Sequence, residues 1–153
     1  MTELYNLHRF LDAQEPIFDQ VLRELQIGKK QTHWMWFVFP QIAGLGKSSI
    51  AQHYAIASKA EAKAYLAHPT LGPRLEQCTR RMNSLLGSSA EQIFGPIDAL
   101  KFRSSMTLFA AMAPGNAVFL TALEIYYDGN RDMKTLELLA SIGDSDLNSG
   151  ATD

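Results

Sequence analysis

Apolar residues along this chain recur at the three- and four-residue spacing of helices, and the rhythm breaks where glycine or proline intervenes. Leu4, Leu7, Phe10 and Leu11 make the first stripe. Ile17, Val21, Leu22 and Leu25 make the second, entered through Pro16 and stopped by Gly28, with Lys29 and Lys30 near its negative end. Ser58-Lys59-Ala60-Glu61 reads as a capping box opening an alanine-rich helix that runs to His68-Pro69. Pro73 starts another through Leu75, Cys78, Met82, Leu85 and Leu86, ended by Gly87. Ser89-Ala90-Glu91-Gln92 is a second capping box, for one short turn that stops at Gly95. Gly95-Pro96 opens a long helix to about Ala113, closed by Pro114-Gly115, and two more follow at roughly 117–127 and 132–140.

One segment resists this reading. His33-Trp34-Met35-Trp36-Phe37-Val38-Phe39-Pro40 is aromatic throughout, and periodicity cannot separate a buried strand from a short buried helix. A lone strand would lack a partner, since no second candidate occurs, so a compact bundle of short, crossing helices is expected. The polar tail from Ser141 has few groups worth burying and is expected to be disordered.

Composition narrows the function classes. The 153 residues suit a single domain, and the 46% hydrophobic content supports a core without staples. Lys+Arg 14 against Asp+Glu 16 leaves a net charge of −2, which provides no global basic field for nucleic acid or an anionic membrane. Cys78 is the single cysteine, which excludes an internal disulfide framework and fits a reducing cytosol. No apolar run approaches the ~20 residues of a membrane span, and the N-terminus does not read as a signal peptide. Near-neutrality is an average, however. Between Gly28 and Lys59 stand Lys29, Lys30, Lys47 and Lys59 with no Asp or Glu, while Asp144, Asp146 and Asp153 load the tail. Without the tail the balance is 14 basic against 13 acidic. The acid-free stretch is the place to expect an anionic ligand.

Within it, Ala43-Gly44-Leu45-Gly46-Lys47-Ser48-Ser49 imitates a phosphate loop. The spacing is wrong, because the position five before Gly46 is Gln41 rather than glycine. What survives is either a flexible anion-binding turn or a plain glycine-rich connection. The histidines His8, His33, His53 and His68 show no metal-ligand spacing, and no metal is expected. Cys78 shares an apolar stripe with Leu75 and Met82 and reads as core.

The helix after Gly95 is more informative. At 100° per residue, Asp98, Lys101 and Ser105 fall on the same side as Phe102, Leu108, Phe109 and Met112, with Arg103 opposite. A lysine and an aspartate inside an apolar stripe must pair, snorkel outward or face a ligand. A structural Asp98–Lys101 pair and a ligand site are both open. Likewise Trp34 and Trp36 are either core or a stacking platform. Asp128-Gly129-Asn130-Arg131-Asp132 is a turn, with Asp132 placed to cap the final helix.

Taken together, several motifs resemble the DUF1810 family. They are His33 to Gln41, Gly44-Leu45-Gly46, Tyr54-Ala55-Ile56, Tyr65 to Leu75, Lys101 to Phe109, and Asp128 to Asp132 with Thr135 and Leu136. The likeness runs from about Tyr5 to Ala140. It implies a small, single-domain, all-helical protein of a bacterial and fungal group without an established activity. Some members carry the automatic name "calpastatin", which nothing in these residues supports. The family motifs also hold polar residues that packing alone does not demand: His33, Gln41, Ser48, His68, Arg74, Lys101 and Ser105.

The sequence therefore predicts one all-α domain over 1–140, of about seven or eight short crossing helices, and a disordered tail over 141–153. The leading functional expectation is a cytosolic protein that binds or processes an anionic small molecule, such as a nucleotide derivative. Trp34, Trp36, Gln41, Lys47, Ser48, Lys101 and Ser105 would line its pocket, with His33 as the acid/base candidate. The rival class is a non-catalytic interaction module, and a homodimer is compatible with either. The sequence assigns no cofactor.

Overall fold

The fold is given by a computed structural model, which describes residues 5–142. Among the described residues there are ten helices: α1 (His8–Gln14), α2 (Phe18–Ile27), α3 (Met35–Val38), α4 (Ser49–His53), α5 (Lys59–Ala67), α6 (Leu71–Ser84), α7 (Ala90–Phe94), α8 (Pro96–Met112), α9 (Ala117–Tyr127) and α10 (Met133–Ile142). The protein is all-α, as its apolar spacing predicts. The excess over eight comes from the single-turn pieces α3 and α4, which periodicity registers weakly, whereas the short α7 follows from its capping box.

The aromatic segment forms a helix turn. Trp34 and Met35 carbonyls accept from Val38 and Phe39 N–H groups, so the backbone is satisfied without a partner strand. One strand-like contact does occur beyond it, an isolated parallel bridge between Ile42 and Ile56. There the Ala43 N–H donates to the Ile56 carbonyl, and the Ile56 N–H to the Gln41 carbonyl, both at 2.8 Å.

Helix ends follow side-chain chemistry. Gly28 closes α2 in the left-handed region at φ 85°, its N–H donating to the Glu24 and Leu25 carbonyls. Ser89 and Gln92 complete a reciprocal capping box on α7. Ser58 caps α5 by accepting from the Glu61 N–H, but the Glu61 carboxylate turns away to Ala57 N and Arg9, so that box is half-made. His68 supplies a cap that the sequence reading missed: Nδ1 accepts from the Thr70 and Leu71 N–H groups at 3.0 and 3.2 Å. Consequently α6 begins at Leu71 and Pro73 sits inside its first turn. Asp132 caps α10, accepting from the Thr135 N–H at 3.0 Å. That helix continues through Ser141 to Ile142, and the rest of the predicted tail lies outside the described residues.

The long helix α8 is the axis. It packs against α3, α5, α7, α9 and α10. Its Phe102 ring lies 4.9 Å from Phe39 and 5.1 Å from Phe94, and Phe109 continues the aromatic core to Tyr65 and Phe119. Cys78 is enclosed in this core, and burial pushes its thiol up to about 12, which removes any nucleophilic role. Arg103, on the other side of α8, donates to the Asn130 and Arg131 carbonyls and locks the turn before α10.

Candidate functional site

The site is built outward from a buried carboxylate. Glu24 lies on the same stripe of α2 as Val21 and Leu25, fully enclosed. A bare carboxylate there would be prohibitively desolvated. Instead it accepts five hydrogen bonds, from Gln20 Nε2 at 2.9 Å, Gln31 N at 2.8 Å, Thr32 N at 3.1 Å, Thr32 Oγ1 at 2.6 Å and Trp34 Nε1 at 2.9 Å. Burial alone would raise its pKa, but these donors outweigh it and hold the carboxyl at about 2.

The consequence is a rigid 28–34 segment. Gly28 and Lys29 N–H groups donate to α2 carbonyls, Lys30 N–H donates to the Ile93 carbonyl at 2.7 Å, and Gln31 and Thr32 donate to Glu24. Every backbone N–H from 28 to 32 is thereby used. Lys30 is thus delivered to the first turns of α8, where its Nζ stands 2.9 Å from Asp98 Oδ2. Lys101 Nζ stands 3.5 Å from the other oxygen, Oδ1. The Lys30 side chain is only 6% exposed, Asp98 20% and Lys101 22%. Each ammonium also lies over an indole: Lys30 is 5.1 Å from the Trp34 ring and Lys101 is 4.8 Å from Trp36.

Charge counting gives this corner its chemistry. Two cations share one anion, which leaves a positive excess in a partly buried, aromatic-walled place, where screening by water is reduced. The Asp98–Lys101 pair anticipated from helical spacing is present, and Lys30 is the addition. Its membership in the acid-free stretch was the available signal.

The remaining expected site residues divide by position. Trp36 is half-buried against Lys101, in the corner. Ser105, one turn further along the same face of α8, is fully buried and its Oγ has no hydrogen-bond partner. Its neighbours behave differently: Ser104 Oγ donates to the Leu100 carbonyl and Thr107 Oγ1 to that of Arg103, the usual outlet for helical hydroxyls. Trp34 is 1% exposed, with its ring edge-on to Phe94 and its N–H on Glu24, so it forms the wall behind Lys30. His33 is exposed on the pinned segment that carries Lys30. Gln41 is half-buried, with its carbonyl in the Ile56 bridge. Lys47 and Ser48 belong to the entry of α4, where Ser48 Oγ accepts from the Ala51 N–H at 3.1 Å and Lys47 is exposed. In that loop a Cβ on Gly46 would lie 2.5 Å from the Ala51 Cβ, so packing requires this glycine. Of the other polar motif residues, His68 is the α6 cap, and Arg74 ties α6 to Gln14 and Glu15.

Among the described residues, no group of three or more His, Cys, Asp and Glu is placed to hold a metal ion. No helix among them is long and apolar enough to cross a membrane.

No functionally curated protein matches the chain. It is similar to the crystal structure of the conserved hypothetical protein Rv1873 from Mycobacterium tuberculosis, with a TM-score of 0.89 and 51% identity. That match covers 90% of this chain and 99% of the other. The sequence motifs, the all-helical fold and the family model for a protein of unknown function, matched over residues 4–139, agree: the chain belongs to the DUF1810 family.

Proposed function

We propose that this protein binds a small anionic molecule at the Lys30–Asp98–Lys101 corner. The observation that carries the reading is the unbalanced charge: two ammonium groups on one carboxylate, both partly shielded from water. A purely structural pair would need one lysine. The half-buried Trp36 indole offers a flat apolar wall for a base or ring. In this reading Lys30 and Lys101 neutralise the ligand and Trp36 stacks. His33 is the acid/base group if a reaction follows. A cytoplasmic location goes with it, supported by the unpaired Cys78.

Thermal shift against nucleotides, sugar phosphates and metal ions tests the proposal. A stabilising phosphorylated compound whose effect disappears in Lys101→Ala, with circular dichroism unchanged, is the expected result. A response equally strong in Lys101→Ala overturns it.

A second reading has its own observation. Ile97 and Leu100, one turn apart on the outer face of α8, are 70% and 63% exposed. Such exposure suits an interaction module or homodimer. Light scattering on the wild type and on Leu100→Glu separates this reading, because a dimer through that face would dissociate.

A further inference from the structure

Asp98 occupies the place that an incoming anion needs. Its two oxygens are divided between the lysines, Oδ2 to Lys30 and Oδ1 to Lys101. Being three residues from Lys101 on the same helix, it is held at an effective concentration far above that of any dissolved carboxylate. A monocarboxylate ligand would offer the lysines only what Asp98 already gives. A phosphate monoester differs in kind. It carries up to two negative charges over three oxygens, enough to face both ammonium groups at once.

The corner is also arranged to survive the exchange. Without the carboxylate, Lys30 keeps the Trp34 face at 5.1 Å and Lys101 keeps the Trp36 face at 4.8 Å, so both cations retain an anchor. The pinned backbone of Lys30 prevents its withdrawal. Asp98, 20% exposed, has a route towards water. It sits in the first turn of α8, whose positive end adds to the field that an anion would meet there.

Resting on the anion-binding reading above, we infer that Asp98 is a built-in competing counter-ion, and that the ligand is a phosphate monoester which displaces it. Asp98 then acts as a charge filter. It rejects singly charged carboxylates and admits dianions. Occupancy of the site is governed by whether this carboxylate is on or off the lysines.

The test uses inorganic phosphate and acetate at neutral pH as probes of the full chain, titrated by thermal shift and calorimetry. Wild type responds to phosphate and not to acetate. Asp98→Asn, which removes the competing charge, binds phosphate at least fivefold more tightly, and Asp98→Ala, which empties the position, gains a response to acetate. Unchanged or weaker phosphate binding in Asp98→Asn overturns the inference, as does an acetate response in Asp98→Ala equal to that of wild type. If either variant is unfolded, phosphate restores its folded circular dichroism; failure to do so also overturns it. Failure of the underlying reading looks different: phosphate binding would persist in Lys30→Met and Lys101→Met. Loss in those variants without a gain in Asp98→Asn sinks only the counter-ion role.

Discussion

Two carboxylates flank the same short stretch of chain, and their surroundings differ in kind. Glu24 is fully enclosed and accepts five hydrogen bonds from uncharged donors, which leaves one negative charge, completely solvated by protein. Asp98 is one-fifth exposed and faces two ammonium groups, which leaves a cation to spare. The first arrangement is closed and orders a loop. The second is open in charge and has something left to bind. Polarity and burial alone would class both as buried acids; the sum of charges within hydrogen-bond reach separates scaffold from candidate site.

The largest expected effect breaks the closed member. Glu24→Gln keeps the shape but removes the charge: an amide oxygen in the Oε1 place still accepts from Gln31, Thr32 and Trp34, no longer as a charged acceptor, while the NH2 in the Oε2 place faces the Gln20 and Thr32 Oγ1 donors. The carboxyl titrates at about 2 in the fold against 4.5 in the free residue. A depressed native pKa means that the unfolded chain takes up the proton first. The stabilisation is therefore complete above about 4.5 and is lost as pH falls towards 2. Its size, from the shift, is roughly 3 kcal/mol. Urea unfolding should show a midpoint lowered on the order of 1.5 M at pH 7, with the gap to wild type narrowing at pH 3. A gap that is constant with pH would mean that the Glu24 charge does not hold this loop.

Trp34→Phe sharpens the contrast by removing one donor only. The indole N–H bond to a charged acceptor contributes about 2 kcal/mol, and the smaller ring adds a packing loss in a fully buried place. Trp36→Phe, half-buried and without a hydrogen bond in the Glu24 network, should cost about 1 kcal/mol or less, through a weaker face for Lys101. Chemical denaturation of the two variants side by side checks the order, and equal losses would contradict the division between wall and corner.

Much of this comparison could be read from sequence, and the reasons for the rest are physical. The long helices follow from apolar period and terminators: α9 was expected at 117–127 and spans Ala117–Tyr127. Asp98 and Lys101 on one face of α8 follow from helical geometry, because they are neighbours on one element. Lys30 could be placed in a basic stretch but not beside Asp98, since that contact is tertiary and depends on how Glu24 folds the intervening loop. Glu24 itself was legible in principle, as a carboxylate between Val21 and Leu25 on an apolar stripe. The two tryptophans have identical composition signals, and only burial separates them. His68 looked like an isolated histidine because capping by Nδ1 needs a backbone turn that no spacing rule supplies.

The smallest effect on stability should accompany the largest effect on function. Lys101→Met removes the looser of the two Asp98 contacts, 3.5 Å and partly exposed, and leaves Asp98 a one-to-one pair with Lys30. Such a pair contributes at most about 1 kcal/mol after solvent screening, and the methionine stem still covers Trp36. Stability should therefore stay within about 1 kcal/mol of wild type, while the excess charge that attracts an anion is gone. Lys47→Met is the matched control, an exposed lysine in the glycine-rich loop before α4. It should change neither unfolding nor the phosphate response by more than measurement error. The reverse outcome, phosphate binding lost in Lys47→Met and kept in Lys101→Met, would move the anion site to the loop that imitates a phosphate-binding turn. It would also remove the functional half of the comparison between Glu24 and Asp98.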